Sequence, residues 1–165
     1  MAFSIDFDAN LSYDMIFWNK YRTKEDKSQI SGLGTIKYAD GSVYQGQTKK
    51  GVFDGKGRLQ QKNGDMYQGE FKEGKACGQG VFLSKDGTLY KGEWKDDLYH
   101  GTGVEQRDQN TVVYSGQFEK GKKKGQGRLE FNEGDYYEGE FEDNQFHGQG
   151  KLFKAEDNTL YEGQF

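Results

Sequence analysis

The chain has 165 residues, of which 32% are apolar, 15% aromatic and 30% charged, and its formal net charge is −4. The apolar fraction is low for a globular core, whereas the aromatic fraction is too high for a disordered chain. This charge balance provides no basic face for nucleic acid and disfavours an anionic membrane as the main partner. The chain has one cysteine, Cys77, which excludes an internal disulfide.

Residues 1–30 contain no glycine and differ in this from the rest of the chain. Apolar residues recur at helical spacing between Leu11 and Tyr21, which predicts a short amphipathic helix in this N-terminal extension. Two interpretations of the segment remain open. It caps the first repeat of the array described below, or it is a docking peptide that inserts aromatic side chains, Phe17 and Trp18 first among them, into a partner.

One pattern, Tyr-x-Gly-x-aromatic followed by Gly-x-Gly, returns every 23 or 24 residues through the rest of the chain. A half-unit at Gly32 precedes the first complete copy. The complete copies open at Tyr44, Tyr67, Tyr90, Tyr114 and Tyr137, and a partial sixth copy opens at Tyr161 and extends to Phe165. A period this regular predicts an array of one small unit, and we assign residues 31–165 to it.

The second copy shows what each unit is. Apolar and polar residues alternate with a period of two over Tyr67–Phe71 and again over Gly78–Phe82, which is typical of strands with one buried face. The residues between these runs, 72–75, form a turn that contains a glycine. Each unit is therefore predicted to be a β-hairpin. Because glycine in a strand often marks close approach, we expect the aromatic rings to lie flat over the glycine backbones, including Gly78 and Gly80.

The repeats closely resemble the MORN family. The stretches that carry the likeness are Tyr90-Lys-Gly-Glu-Trp94 with His100-Gly-Thr-Gly103, and Tyr137-Glu-Gly-Glu-Phe141 with His147-Gly-Gln-Gly150. The resemblance covers residues 32–165 and implies an all-β fold, a single elongated antiparallel sheet that is twisted and grooved along one face.

Four positions depart from the family pattern. Thr48 occupies the aromatic position of the first full repeat. Glu105 occupies, in the third repeat, the apolar position that is Leu59, Phe82, Leu129 or Leu152 in the other full repeats. Asp97 and Asn144 replace the turn glycine in the third and fifth repeats, and both residue types tolerate the left-handed region. The third and fifth repeats are also one residue longer, which predicts enlarged loops near residues 108–110 and 156–158.

The aromatic groove and the two ends of the sheet are the predicted contact surfaces, because repeat arrays bind along extended faces and unpaired strand edges invite pairing. The side chains that we expect to bind protein there are Tyr67, Phe71, Tyr90, Trp94, Tyr114, Phe118, Tyr137, Phe141, Tyr161, Phe165, Phe17 and Trp18. A homodimer through the sheet ends is one form that this contact could take.

We predict no catalytic, cofactor or metal site. His100 and His147 occupy the same repeat position as Cys77. Equivalent positions in adjacent hairpins, such as Cys77 and His100, lie roughly 9–10 Å apart, too far for shared zinc coordination. Two groups of charged residues are interpreted as solvated surface rather than as sites. They are the acids Glu70, Glu93, Glu138, Glu140 and Glu162, read as one row, and the basic cluster Lys120, Lys122, Lys123 and Lys124.

The family resemblance implies a non-enzymatic scaffold that assembles with other proteins in a cytoskeletal or ciliary structure such as a radial spoke. We accordingly expect a cytoplasmic location on the cytoskeleton, in the axoneme of a cilium or flagellum, without nucleic acid as a partner and with membrane lipid disfavoured. The alternatives are a membrane-apposition or phosphoinositide-binding module, and the regulatory repeat part of a larger enzyme.

Overall fold

A computed structural model describes residues 31–107, 112–131 and 134–165. Every regular element in these ranges is a β-strand, and no helix there is long and apolar enough to cross a membrane. The twelve strands are β1 (Gly32–Lys37), β2 (Val43–Lys49), β3 (Val52–Gln60), β4 (Met66–Lys72), β5 (Lys75–Leu83), β6 (Leu89–Lys95), β7 (Leu98–Arg107), β8 (Val112–Glu119), β9 (Lys122–Phe131), β10 (Asp135–Glu142), β11 (Gln145–Lys154) and β12 (Thr159–Gln164).

The strands form one open sheet in sequence order, and each pairs antiparallel with the next. The predicted all-β, single-sheet architecture of tandem hairpins is confirmed. The helix predicted between Leu11 and Tyr21 lies outside the described residues, as does the enlarged loop predicted at 108–110.

The hairpin turns explain why the repeats carry glycine, aspartate or asparagine at one position. In the turn between β4 and β5, Glu73 and Gly74 have φ angles of 51° and 84°. Asp97 and Asn144 occupy the position of Gly74 in later repeats, with φ angles of 66° and 71°. Positive φ at both central residues is what a tight type I′ hairpin turn requires, so the predicted tolerance of Asp97 and Asn144 for this region is confirmed.

The loops between repeats also follow the prediction where they are described. Ser84 N donates to Thr88 O at 2.9 Å, which closes a loop of three residues between β5 and β6. The corresponding pair between β11 and β12 is Lys154 and Thr159, which enclose four residues. The extra residue of the fifth repeat is therefore accommodated in this loop.

A continuous row of glycines crosses the sheet, with one glycine in every strand. Each member faces the next in the pairing register. The row consists of Gly34, Gly46, Gly57, Gly69, Gly80, Gly92, Gly103, Gly116, Gly127, Gly139, Gly150 and Gly163. The rings do lie over this row: a Cβ atom at Gly80 would come within 2.5 Å of the Tyr67 hydroxyl oxygen and 2.6 Å of its Cε2 atom.

The first glycine of each Gly-x-Gly motif is required for a different reason from the close ring contact that was expected. Gly78 lies at a β-bulge, where the register shifts between Gly69 and Glu70, and its φ angle is 57°. A Cβ atom there would meet the Glu70 carboxylate at 2.6 Å, not an aromatic ring. The prediction that an aromatic ring lies over Gly78 is therefore wrong, because the bulge turns this residue away from the aromatic face.

Candidate functional site

The aromatic face begins with a lower layer of tyrosines that lie on the glycine row. We call Tyr44, Tyr67, Tyr90, Tyr114 and Tyr137 the floor tyrosines. Each hydroxyl group donates a hydrogen bond to the backbone carbonyl three residues later, as Tyr44 does to Gln47 O at 2.6 Å. Burial raises the pKa of Tyr44 and Tyr114 to about 12. The floor is thus fixed by both packing and hydrogen bonding.

A second set of rings stands perpendicular to the floor tyrosines and links adjacent repeats. We call Phe71, Trp94, Phe118, Phe141 and Phe165 the wall residues. Trp94, for example, contacts Tyr67 with ring centroids 4.9 Å apart and Tyr90 at 5.3 Å, both edge-to-face. Edge-to-face pairs at these spacings are favourable beyond the area they bury. Each wall residue therefore stabilises the junction between two repeats.

A third layer, which the sequence analysis did not identify, covers some of the floor tyrosines from above. The second strand of each hairpin provides one residue at this upper position, and in three repeats that residue is aromatic. Phe53 stacks on Tyr44 with a centroid distance of 3.8 Å and an interplanar angle of 10°. The equivalent pairs are Tyr99 on Tyr90 at 3.7 Å and Phe146 on Tyr137 at 3.9 Å. In the other two repeats the upper residues are Ala76 and Lys123.

Exposure separates the core of the aromatic face from its accessible surface. The residues predicted to bind protein along the groove, Tyr67, Phe71, Tyr90, Trp94, Tyr114, Phe118, Tyr137 and Phe141, lie on one face as expected, but each is only 0–8% exposed. The partly buried side chains that pack against them include the upper rings Phe53, Tyr99 and Phe146, together with Leu59 and Phe82. Contact with another molecule along the groove would therefore involve this upper layer, while the predicted residues form its support.

The array has a longer period of two repeats in its second to fifth copies. Asp97 accepts a hydrogen bond from Ala76 N at 2.7 Å, and Asn144 accepts one from Lys123 N at 2.9 Å. The ion pairs Lys75–Asp96 and Lys122–Asp143 are likewise 47 residues apart. The side chains of Asp97 and Asn144 thus bond to the backbone of those repeats that lack an upper aromatic ring.

A buried charge interrupts the groove in its third repeat. Glu105 is 4% exposed and forms ion pairs with Lys123 and with Arg107. The Lys123 ammonium group also lies 5.0 Å from the ring centroid of Tyr114, in the place that an upper aromatic ring has elsewhere. Burial acts to raise the pKa of Glu105, but hydrogen bonds from Lys123 and Arg107 outweigh it and hold the pKa below its ordinary value.

The described ends of the sheet differ from its middle. Tyr161, which occupies the position of a floor tyrosine on β12, is 49% exposed, and the neighbouring Leu160 is 53% exposed. Phe165 is half-buried and packs edge-to-face on Tyr137 at 4.8 Å. On β1, Leu33 is 55% exposed. Phe17 and Trp18 lie outside the described residues.

The five acids that were expected to form one solvated row occupy two different positions of the repeat, so that expectation is wrong. Glu138 and Glu162 directly follow the repeat tyrosine, whereas Glu70, Glu93 and Glu140 lie three residues after it. Glu70, Glu93 and Glu140 accept hydrogen bonds from the backbone amides at the bulges, as Glu93 does from Thr102 N at 2.9 Å. These hydrogen bonds lower the pKa of Glu93. Glu138 and Glu162 instead pair with basic residues of the adjacent strands. The first group therefore supports the bulge, and the second forms the expected cross-strand ion pairs.

Most of the basic cluster is neutralised within the chain. Lys122 pairs with Asp143 at 3.0 Å, Lys123 with Glu105, and Lys124 with Glu119 at 3.2 Å. Three of its four lysines therefore already hold carboxylates.

The hydrogen bonds described for the two histidines here are made by their backbone carbonyl groups, not by their imidazole rings. The carbonyl of His100 accepts from the Tyr90 hydroxyl at 3.4 Å, and that of His147 from Tyr137 at 3.1 Å. Within the described ranges, no three side chains of the His, Cys, Asp or Glu type converge to hold a metal ion.

Comparison with protein families gives a match over most of the chain. A family model for the MORN repeat matches six copies, at residues 27–43, 44–66, 67–89, 90–112, 114–136 and 137–157. The first copy includes the half-unit at Gly32. A sequence search of curated proteins gave no match.

Proposed function

The chain belongs to the MORN repeat family, and on that premise we propose that it is a non-enzymatic scaffold that binds other proteins along the upper layer of its aromatic groove. We assign it to a cytoskeletal or ciliary assembly, of the radial-spoke kind, in the cytoplasm. The observation that carries the proposal is the partly buried upper layer, in which Phe53, Tyr99 and Phe146 present ring surface on a rigid support.

The upper layer is an apolar surface on one face of the sheet. Contiguous apolar surface on one face of a protein marks an interaction site. Here the upper rings are already fixed by stacking on the floor tyrosines at 3.7–3.9 Å, so a partner would not have to order them on binding. A preorganised surface loses less conformational entropy on association. The groove is thus suited to hold an extended protein segment.

Charge supports a protein partner over a lipid headgroup. An anionic membrane would require free basic side chains. The one dense lysine cluster has three of its four members in ion pairs with Asp143, Glu105 and Glu119. Phosphoinositide binding would have to break these pairs, whereas a protein segment in the groove would leave them intact.

The test is affinity purification with quantitative mass spectrometry, using the full chain and three variants. Phe53→Lys and Phe146→Lys each remove an upper ring and introduce the residue type found at Lys123, but without the Glu105 carboxylate that pairs with Lys123. Phe153→Lys is the matched control, because Phe153 lies on β11 with Phe146 but stacks on Tyr136 on the opposite face.

We expect the wild type and Phe153→Lys to retain cytoskeletal or ciliary partners that both groove variants lose. Denaturation midpoints of all four proteins establish that they are folded under the purification conditions. Equal retention of the partners by all variants would show that the groove is not the binding surface. Recovery of membrane lipids in place of protein partners would favour the membrane alternative.

A further inference from the structure

One floor tyrosine lacks the cover that the array gives to the others. Tyr44, Tyr90 and Tyr137 each carry a stacked ring, and Tyr114 carries the Lys123 ammonium group. Above Tyr67 the upper residue is Ala76, whose methyl group is the smallest side chain at this position among the described repeats. Of the two repeats without an upper ring, the fourth has Lys123 over its floor tyrosine, whereas the second has only the Ala76 methyl group.

The missing ring leaves a recess of about 510 Å³, within the range of ligand-binding clefts. Tyr67 forms its base and the perpendicular rings of Phe71 and Trp94 its sides. Leu98, 45% exposed, lies at its rim. Asp97 provides the one carboxylate in the lining. The recess thus fits a flat aromatic group that is accompanied by positive charge.

We propose that Trp18 of this same chain occupies the recess and stacks its indole on Tyr67, as Phe53 stacks on Tyr44. Trp18 is followed closely by Lys20 and Arg22, which provide positive charge that the Asp97 carboxylate attracts. A buried indole N–H usually donates to an acceptor. The Asp97 carboxylate is an acceptor at the lining of the recess, and this favours Trp18 over the neighbouring Phe17.

The point at which the chain enters the sheet allows this contact. Gly32 pairs with Thr48, and Lys50 N donates to the Ser31 hydroxyl at 3.1 Å, so the chain enters beside the first hairpin turn. The hairpin turns of successive repeats follow one another along this side, since Gly74 N donates to Phe53 O. Ala76 is therefore on the side of the sheet at which the N-terminal segment arrives.

The distance is well within reach of the connecting residues. Ala76 lies on β5, four strand spacings from β1, or about 19 Å at 4.7–4.9 Å per strand. The 14 residues from Trp18 to Gly32 can extend to about 46–50 Å. Because the segment is attached, its binding is an intramolecular event, which favours it over a free peptide of the same composition. A groove partner that uses the recess must then displace Trp18.

The chain offers a direct spectroscopic test, because Trp18 and Trp94 are its two tryptophans. Trp94→Phe leaves Trp18 as the sole indole, and phenylalanine occupies the equivalent wall position in neighbouring repeats. The indole nitrogen of Trp94 has no hydrogen-bond acceptor within the described ranges, so the substitution removes no hydrogen bond. Iodide quenching and the emission maximum then report the environment of Trp18 in the full chain.

Two further substitutions in this background decide the proposal. Ala76→Phe fills the recess with the ring found in other repeats, and Ala155→Phe makes the same change in an exposed loop. We expect Trp18 to be shielded in Trp94→Phe, several-fold more accessible to iodide after Ala76→Phe, and unchanged after Ala155→Phe. Equal accessibility in all three proteins overturns the proposal, as does shielding that persists with Ala76→Phe. Shielding that depends on protein concentration assigns the recess to a second copy and also overturns it.

Two readouts remain decisive if Ala76→Phe does not fold. Asp97→Asn keeps the turn and its hydrogen bond to Ala76 N, as Asn144 does for Lys123, but removes the charge. We expect it to increase the accessibility of Trp18. Trp18→Ala with Trp94 intact should increase the accessibility of Trp94, which lines the recess. No change in either variant contradicts intramolecular docking. These experiments use no partner, so their failure leaves the proposed groove binding to be judged by the purification alone.

Discussion

The Glu105–Lys123 pair offers the sharpest test of how the array tolerates exceptions to its own pattern. The apolar position of Glu105 is leucine in the first, fourth and fifth repeats, and the upper position of Lys123 is phenylalanine in the first and fifth. Glu105→Leu combined with Lys123→Phe therefore rebuilds the regular repeat. Each substitution alone removes one member of the buried Glu105–Lys123 pair and keeps the other.

The structure determines the expected magnitudes. Glu105 is 4% exposed and the Lys123 side chain 13%, so the pair is largely removed from water. Breaking a buried pair from one side costs about 3–5 kcal/mol, whereas replacing both charges by apolar groups is neutral or stabilising by about 1–4 kcal/mol. The loss of stability in Lys123→Phe should be about 3 kcal/mol or less, because Arg107 remains to pair with Glu105. Glu105→Leu leaves Lys123 with no carboxylate described within reach.

The assay is urea denaturation of the wild type, both single variants and the double variant, analysed as a double-mutant cycle. We expect both single variants to be destabilised and the double variant to be at least as stable as the wild type. Additive losses in the double variant would refute the reasoning, because they would show that the two charges do not depend on each other.

Acid titration provides a second check on the same pair. The pKa of Glu105 is lower in the folded chain than its ordinary value. A depressed pKa contributes stability above the unfolded value of about 4.3, and this contribution is lost as the pH falls through the folded pKa. The wild type should therefore lose more stability than the double variant below about pH 5. If the free energy of unfolding falls equally with pH in the wild type and the double variant, Glu105 contributes nothing to the loss of stability in acid.

Three further predictions concern the aromatic layers. Trp94→Ala should lower the free energy of unfolding by about 3–5 kcal/mol, since the ring is 8% exposed and contacts two floor tyrosines; a loss well below 1 kcal/mol in urea denaturation would contradict its burial. Gly103→Ala should destabilise by about 1–3 kcal/mol because its Cβ would lie 2.5 Å from the Tyr90 hydroxyl oxygen, whereas Gly34→Ala in the same glycine row meets nothing within 4 Å; equal midpoints for the two variants would refute the close approach. Raised tyrosine pKa values, about 12 for Tyr44 and Tyr114, place full stability below the unfolded pKa of about 10 and its loss between about pH 10 and 12, so the last part of the rise in tyrosinate absorbance should coincide with unfolding; ionisation of all eleven tyrosines without unfolding would contradict it.

The sequence was sufficient to predict the sheet, the hairpins and the floor because their residues recur in every repeat. Tyrosine, glycine and the wall aromatic have fixed offsets, and a period of two between them defines one face. The close contact of ring and glycine follows from the same offsets. What such periodicity gives is the set of residues that all copies share.

The upper layer could not be predicted in the same way because its position is occupied by different residue types. Phe53, Ala76, Tyr99 and Lys123 share no chemical character, so no periodic signal identifies them. The bulge was missed because its two-residue register shift is a property of the pairing between strands. One signal was available: from the second repeat onward the spacing alternates between 23 and 24 residues, which indicates the two-repeat period.

Differences between equivalent positions are what would give this groove a defined binding register. A uniform groove would accept an extended partner shifted by one repeat, at little cost, because every repeat would offer the same contacts. Here a shift of two repeats, from Tyr67 to Tyr114, replaces an apolar recess by a lysine that a buried glutamate holds in place. A shift of one repeat meets the stacked ring of Phe53 or Tyr99 instead. An aromatic side chain can enter only above Tyr67 among the described floor tyrosines, so discrimination arises from steric and charge conflict at every other position. The exceptions to the repeat, rather than the repeat itself, therefore carry the specificity that the proposed scaffold would require.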